Sequence, residues 1–115
     1  MERYFIRMRT MQVLMYKVGQ PPEVIEVENE LYAFQKLVDG LIEPVGIGDG
    51  FVLIADEEGR LKNKPVNRVV RLSGFNTTIQ GDFFICKAEG EEFTGITDQE
   101  AIYAATHFIY TPYKN

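Results

Sequence analysis

The chain has 115 residues, 45% hydrophobic and 25% charged, enough to close one globular core without disulfides or a metal. Seventeen acids against twelve bases leave a net charge of −5, which argues against non-specific nucleic-acid binding, since that depends on Lys and Arg neutralising phosphates. One cysteine excludes a disulfide framework within one copy, and no apolar run approaches membrane-spanning length, so a cytoplasmic protein with no membrane partner is expected.

Residues 1–10 set Arg3, Arg7 and Arg9 against Glu2, without the continuous apolar core of a secretory signal. With Met8 and Met11 as alternative starts, they read as a basic, dispensable extension to a single domain over 11–115. Met11 to Val18 carries apolar residues on both faces, the pattern of a central strand. Gly19-Gln20-Pro21-Pro22 interrupts it, and Val24 to Val27 returns as the second strand of a hairpin. Asn29 is then the expected N-cap of a helix with Leu31, Phe34, Leu37 and Val38 on one side, and Gly40 suits the left-handed position after it. Leu41 to Val45 and Phe51 to Ala55 are two more strands. The Gly46-Ile47-Gly48-Asp49-Gly50 segment between them has the wrong glycine spacing for a dinucleotide fingerprint and precedes a strand, so it is a hairpin turn.

Val69 to Leu72 is a short apolar stretch, Ser73 to Asn76 a turn, and Thr78 to Ala88 a single strand bent at Gly81. Within it, Cys86 lies in the run Phe83-Phe84-Ile85-Cys86 and reads as a buried structural thiol. Thr97-Asp98-Gln99-Glu100 is a capping box opening a helix on which Ile102, Ala105 and Ile109 form one apolar stripe, with Pro112 preventing continuation. The expectation is an α+β domain: a mostly antiparallel sheet of about five strands with two helices, in the order β-β-α-β-β-β-α.

Familiar chemistries mostly fail. His107 is the only histidine, and with one buried cysteine it cannot build a zinc site or an evident nucleophile pair. The acidic run at Asp56 misses the calcium-loop spacing, and Glu89, Glu91 and Glu92 belong to a solvated loop. No catalytic residue, metal or cofactor is assigned.

What remains is the connection from Ala55 to Arg68, where both charge signs, two asparagines, a glycine and a proline crowd between apolar runs. Asp56, Glu58, Arg60, Lys64, Asn67 and Arg68 are the candidate ligand- or partner-binding residues. The cations, with Asn63 and Asn67 adding directional hydrogen bonds, suit a phosphate or carboxylate; the competing account is that Asp56, Glu57 and Glu58 neutralise them across the turn. Arg68 either bridges back to the acidic half, making a closed clasp, or points outward as a binding edge.

The leading functional expectation is a non-catalytic binding module for a protein partner or small anionic ligand. The alternative is a small enzyme using the carboxylates of Asp56 and Glu58 on a nucleotide-like substrate, in a cleft that so short a chain would form as a homodimer. An acidic DNA mimic comes third, because twelve bases interrupt its seventeen acids.

The chain also resembles an uncharacterised family of small proteins from bacteria, notably Firmicutes, and from phages and other mobile elements, catalogued as a domain of unknown function. The resemblance starts at Met11-Gln12-Val13-Leu14 and runs through Gly19-Gln20-Pro21-Pro22-Glu23-Val24 and Leu37-Val38-Asp39-Gly40-Leu41-Ile42-Glu43. It continues with the acidic pair before Gly59, then Leu61 and Pro65-Val66-Asn67-Arg68, and ends with Gly81, Phe83-Phe84-Ile85 and Phe93-Thr94-Gly95-Ile96-Thr97-Asp98-Gln99-Glu100. It covers all but the basic opening segment. The family's pattern would carry asparagine where this chain has Asp56, which leaves that position's role open. The resemblance implies an accessory protein of a mobile element or its host, of the kind that includes small modules blunting host defences, and it implies no reaction.

Overall fold

A computed structural model describes residues 9–72 and 74–110. Three segments with apolar side chains on both faces, β1 (Thr10–Tyr16), β4 (Phe51–Asp56) and β7 (Phe83–Glu89), form the interior of an antiparallel sheet. β2 (Glu23–Glu28) and β3 (Ile42–Gly48), more exposed, flank it, giving the order β2-β1-β7-β4-β3, with short β8 (Glu92–Thr94) pairing the far end of β7. Ile85 lies at the centre, opposite Leu14 on one side and Leu53 on the other.

Strict alternation along these strands divides the apolar side chains into two cores. Met11, Val13, Met15, Val52, Ile54, Phe84 and Cys86 face α1 (Leu31–Val38), which inserts Phe34 and Val38. Leu14, Tyr16, Phe51, Leu53, Phe83 and Ile85 face the other way, under α2 (Asp98–His107) and a separate hairpin of β5 (Val66–Leu72) and β6 (Phe75–Gln80). The β3–β4 turn is made by Asp49 and Gly50, both at positive φ (55° and 81°), as a two-residue hairpin of matching twist requires. The Thr97–Glu100 capping box is formed, and Lys87 ties the sheet to α2 through Glu100 at 3.1 Å.

Six expectations are corrected. The five-strand α+β arrangement gives way to eight strands in two sheets, ordered β-β-α-β-β-β-β-β-β-α. Residues 78–88 are not one strand: Gly81 adopts φ 89° with Lys64 packed into the space its Cβ would fill, so the chain leaves one sheet there and enters the other. Nor is Val69 to Leu72 a short stretch; it is the end of β5, whose first half is disguised by Asn67 and Arg68.

The caps of α1 differ too. Glu30, not Asn29, is the N-cap, its carboxylate accepting the Tyr32 and Ala33 amides at 3.0 and 2.9 Å, while Asn29 donates to the Phe93 carbonyl of β8. Asp39, not Gly40, takes the left-handed position (φ 57°), and Gly40 is needed because a Cβ there would overlap the Asp56 carboxylate. Finally, Ile102 is 65% exposed, and α2 buries Ala101 and Ala104 instead. The large rings of Phe51 and Phe83 already fill that face, so only methyl groups let the helix approach. Residues 1–8, 73 and 111–115, which include Arg3, Arg7, Pro112 and most of the expected extension, lie outside the described residues; Thr10 already belongs to β1.

This orientation of α2 has a direct test. Ala104→Leu is expected to destabilise the protein by about 1–3 kcal/mol through overpacking, whereas Ile102→Ser changes stability by no more than about 0.5 kcal/mol, both read from urea unfolding midpoints.

Candidate functional site

The connection between β4 and β5 leaves the sheet at Asp56, whose carboxylate is wholly buried beside the C-terminus of α1. Lys64 Nζ approaches Asp56 Oδ2 at 2.7 Å and also donates to the carbonyls of Val38 and Asp39 at 2.9 and 2.8 Å. Lys62 Nζ reaches the same oxygen at 2.9 Å, and the Glu58 amide donates to Asp56 Oδ1 at 2.9 Å. Two ammonium groups thus satisfy one buried carboxylate and, at the same time, the open carbonyls at the end of a helix. Burial alone would raise the Asp56 carboxyl, but the hydrogen bonds from Lys64, the Glu58 amide and Lys62, with the Lys64 charge, bring it down to about 2.

The rest of the loop is pinned to β6, to the Gly81 turn that follows it and to the end of β1. Gly59 packs against the Gln80 carbonyl so closely that a Cβ would lie 2.7 Å from it. Gln80 Nε2 donates to the Lys64 carbonyl and Gly81 N to that of Pro65, both at 2.8 Å. Asn67 Nδ2 donates to the carbonyls of Tyr16 and Gly81, each at 2.9 Å. Arg68 turns inward: its guanidinium lies 5.1 Å from the Tyr16 ring centre and donates to Asn67 Oδ1 at 2.7 Å and to the Gln20 carbonyl at 2.7 Å. Tyr16 is stacked on Phe83 as well, and burial pushes its phenol up, against the pull of the Arg68 charge.

Of the six residues singled out from sequence, Asp56, Lys64, Asn67 and Arg68 are therefore engaged in holding the two sheets and α1 together. Arg68 is buried, its guanidinium turned inward on Tyr16 rather than outward. Glu58 and Arg60 are exposed. Elsewhere, burial pushes the Cys86 thiol up to about 12, and His107 is exposed, stacked on Tyr103 at 3.8 Å between ring centres. Among the described residues no three His, Cys, Asp or Glu side chains converge as a metal site.

The loop also forms one lip of a groove. Where the hairpin leans over the sheet, its β5 and β6 strands part from β3 and β4 and leave a cavity of about 320 Å³. Its floor is apolar, from Val45, Ile47, Leu53, Val70, Leu72 and Ile79. Its rim is polar, with Glu43, Glu57, Arg60, Thr77, Thr78 and Gln80, and Leu61, 84% exposed, overhangs it. Arg60 Nη2 donates to the Thr78 carbonyl at 2.8 Å, with longer bonds of 3.3 Å to both threonine hydroxyls and, from Nη1, to Gln80 Oε1. None of the apolar floor residues stood out in the sequence. The signal was the inward alternation Arg68, Val70, Leu72, which only gains meaning once β5 is known to be a strand.

Fold and site together define a small, two-sheet antiparallel β protein with a buried ion cluster and an open apolar groove. The chain belongs to the family described as "Domain of unknown function (DUF3846)", whose model matches residues 11–109, a span containing both features. No curated protein and no solved structure matches it.

The ion cluster gives stability a pH signature. With a folded value of about 2 against an ordinary 3.8, Asp56 binds its proton more weakly in the folded state. It therefore contributes about 2 kcal/mol of stability above the unfolded value, lost as pH falls through the folded one. Urea unfolding from pH 7 to pH 2 should show a steeper acid loss for the wild type than for Asp56→Asn; parallel curves would contradict the assignment.

Proposed function

We propose that the protein is a non-catalytic binding module whose seat is the groove between β3–β4 and the β5–β6 hairpin. One observation carries this reading: the apolar floor of the groove is open to solvent at the partly buried Val45, Leu72 and Ile79, while the charged groups of the neighbouring loop, the other candidate seat, are mostly bound within the fold. Concave, largely apolar sites with a few polar groups at the rim are where small molecules and partner side chains bind. The loop still contributes, through Glu57, Gly59, Arg60 and Leu61, as a lip of the groove rather than as a free cationic edge. In a phage or other mobile element of a bacterium, the setting implied by the family resemblance, such a module acts by occupying a component of the host, its defences included.

The carboxylate enzyme is the weaker reading. A general base works best when its pKa lies near the operating pH, and Asp56, held at about 2 by its two lysines, lies far below that. Glu58 is exposed to solvent.

The reading is tested by a fragment screen on the ¹⁵N-labelled protein. Binders are expected to shift the amides of Val45, Leu53, Leu72 and Ile79, and Val45→Lys, at a partly buried groove position, should weaken them about tenfold, the equivalent of about 1.4 kcal/mol. Binders that perturb only residues remote from the groove would overturn it.

A further inference from the structure

Among the described residues the groove carries one cation on its rim, Arg60, and that cation is unusual within the loop. Lys62 and Lys64 are bound to Asp56, and Arg68 is buried against Tyr16. Arg60 is exposed, and among the described residues no carboxylate lies within ion-pair distance of it. Its guanidinium is nevertheless held in place by neutral acceptors across β6: Thr77 Oγ1, the carbonyl and hydroxyl of Thr78, and Gln80 Oε1. Guanidinium has five N–H donors. The contacts to β6 come from Nη1 and Nη2, with a single acceptor at Nη1, so Nε–H and one Nη1–H remain for another partner. An oriented guanidinium with donors to spare, at the mouth of an apolar cavity, matches a molecule with an apolar body and an anionic head.

The rim also decides between kinds of anion. Glu43 and Glu57 line the same opening, and the whole chain carries −5. Together they disfavour a doubly charged phosphate more than a singly charged carboxylate. A volume of about 320 Å³ lies at the lower end of small-molecule sites. Resting on the groove reading above, we infer that the ligand is a small free carboxylate with an aliphatic or aromatic body, its carboxylate on Arg60 and its body over Val45, Leu72 and Ile79.

Octanoate, octanol and octyl phosphate, titrated separately into the ¹⁵N-labelled full chain, test this. Octanoate is expected to shift the groove amides and to bind more tightly than either of the others. Arg60→Gln should weaken octanoate about tenfold, as expected for loss of one charge-assisted hydrogen bond, and leave octanol unchanged. Arg60→Lys should restore part of the loss. Should Arg60→Gln unfold the hairpin, the wild type alone is decisive: rising NaCl should weaken octanoate and not octanol. Equal binding of octanoate and octanol, indifferent to salt and to Arg60→Gln, would overturn the carboxylate assignment and leave the groove standing. Octyl phosphate as the tightest ligand would overturn the single-charge argument. If none of the three moves a groove amide while other fragments do, the ligand class is wrong; if nothing binds the groove at all, the groove reading falls with it.

Discussion

A sheet whose middle strands are apolar on both faces must be covered twice, and the molecule follows from that requirement. β1, β4 and β7 send large side chains in both directions. On one face a single short helix suffices, because Phe34 and Val38 drop between Phe84, Ile54 and Val52. The opposite face holds Tyr16, Phe51 and Phe83, and its cover comes in two pieces: an alanine-faced helix over one part and a hairpin over another. Two covers of different shape leave a seam. The groove is the part of that seam next to β3, where the sheet ends and the hairpin stands clear.

Electrostatics serves the same requirement. Each ordered residue loses roughly 1–2 kcal/mol of backbone entropy, so a long polar connection needs its own anchors. Here one buried carboxylate gathers two lysines, and one of those lysines also caps the carbonyls ending α1. Replacing both partners of such a cluster can be cheap, while removing one leaves a charge buried without its counterpart. Asn67 extends the anchoring by joining β1 to the Gly81 turn, and Arg68 stacks on the same tyrosine that Asn67 holds through its backbone. The most charged loop is thereby anchored at Asp56, Lys64, Asn67 and Arg68, with its exposed residues carried between those points.

Local signals in the sequence were legible where the determinant is local. The Thr97 capping box and the apolar run Phe83 to Cys86 specify their geometry within a few residues, and a hairpin turn was legible in Gly46 to Gly50, although β3 continues to Gly48 and only Asp49 and Gly50 make the turn. The misses share one cause, a partner far along the chain. β5 was hidden because Asn67 and Arg68 look like loop residues, and their inward use depends on Tyr16, Gln20 and Gly81. Gly40 looked like an ordinary helix stop, yet its need arises from a carboxylate sixteen positions later. The face of α2 could not be read from hydrophobicity, since steric room under the helix selected alanine over isoleucine. For the proposed seat, charge density drew attention to the loop, whereas the apolar floor beside it comes from β3, β4, β5 and β6, whose side chains carry no polar signal in the sequence.

The pairing of β1 with β7 has a consequence for how the chain reaches this state. Leu14 must find Ile85, and the Gln12 side chain donates to the Ile96 carbonyl, 84 positions away. During synthesis the first hairpin can form early, but one edge of β1, flanked by the side chains of both cores, stays open until nearly the whole chain has emerged. Nonlocal topologies of this sort fold slowly, on the scale of milliseconds to seconds. For that interval an apolar strand edge is available to other chains, a hazard of aggregation that the finished sheet conceals.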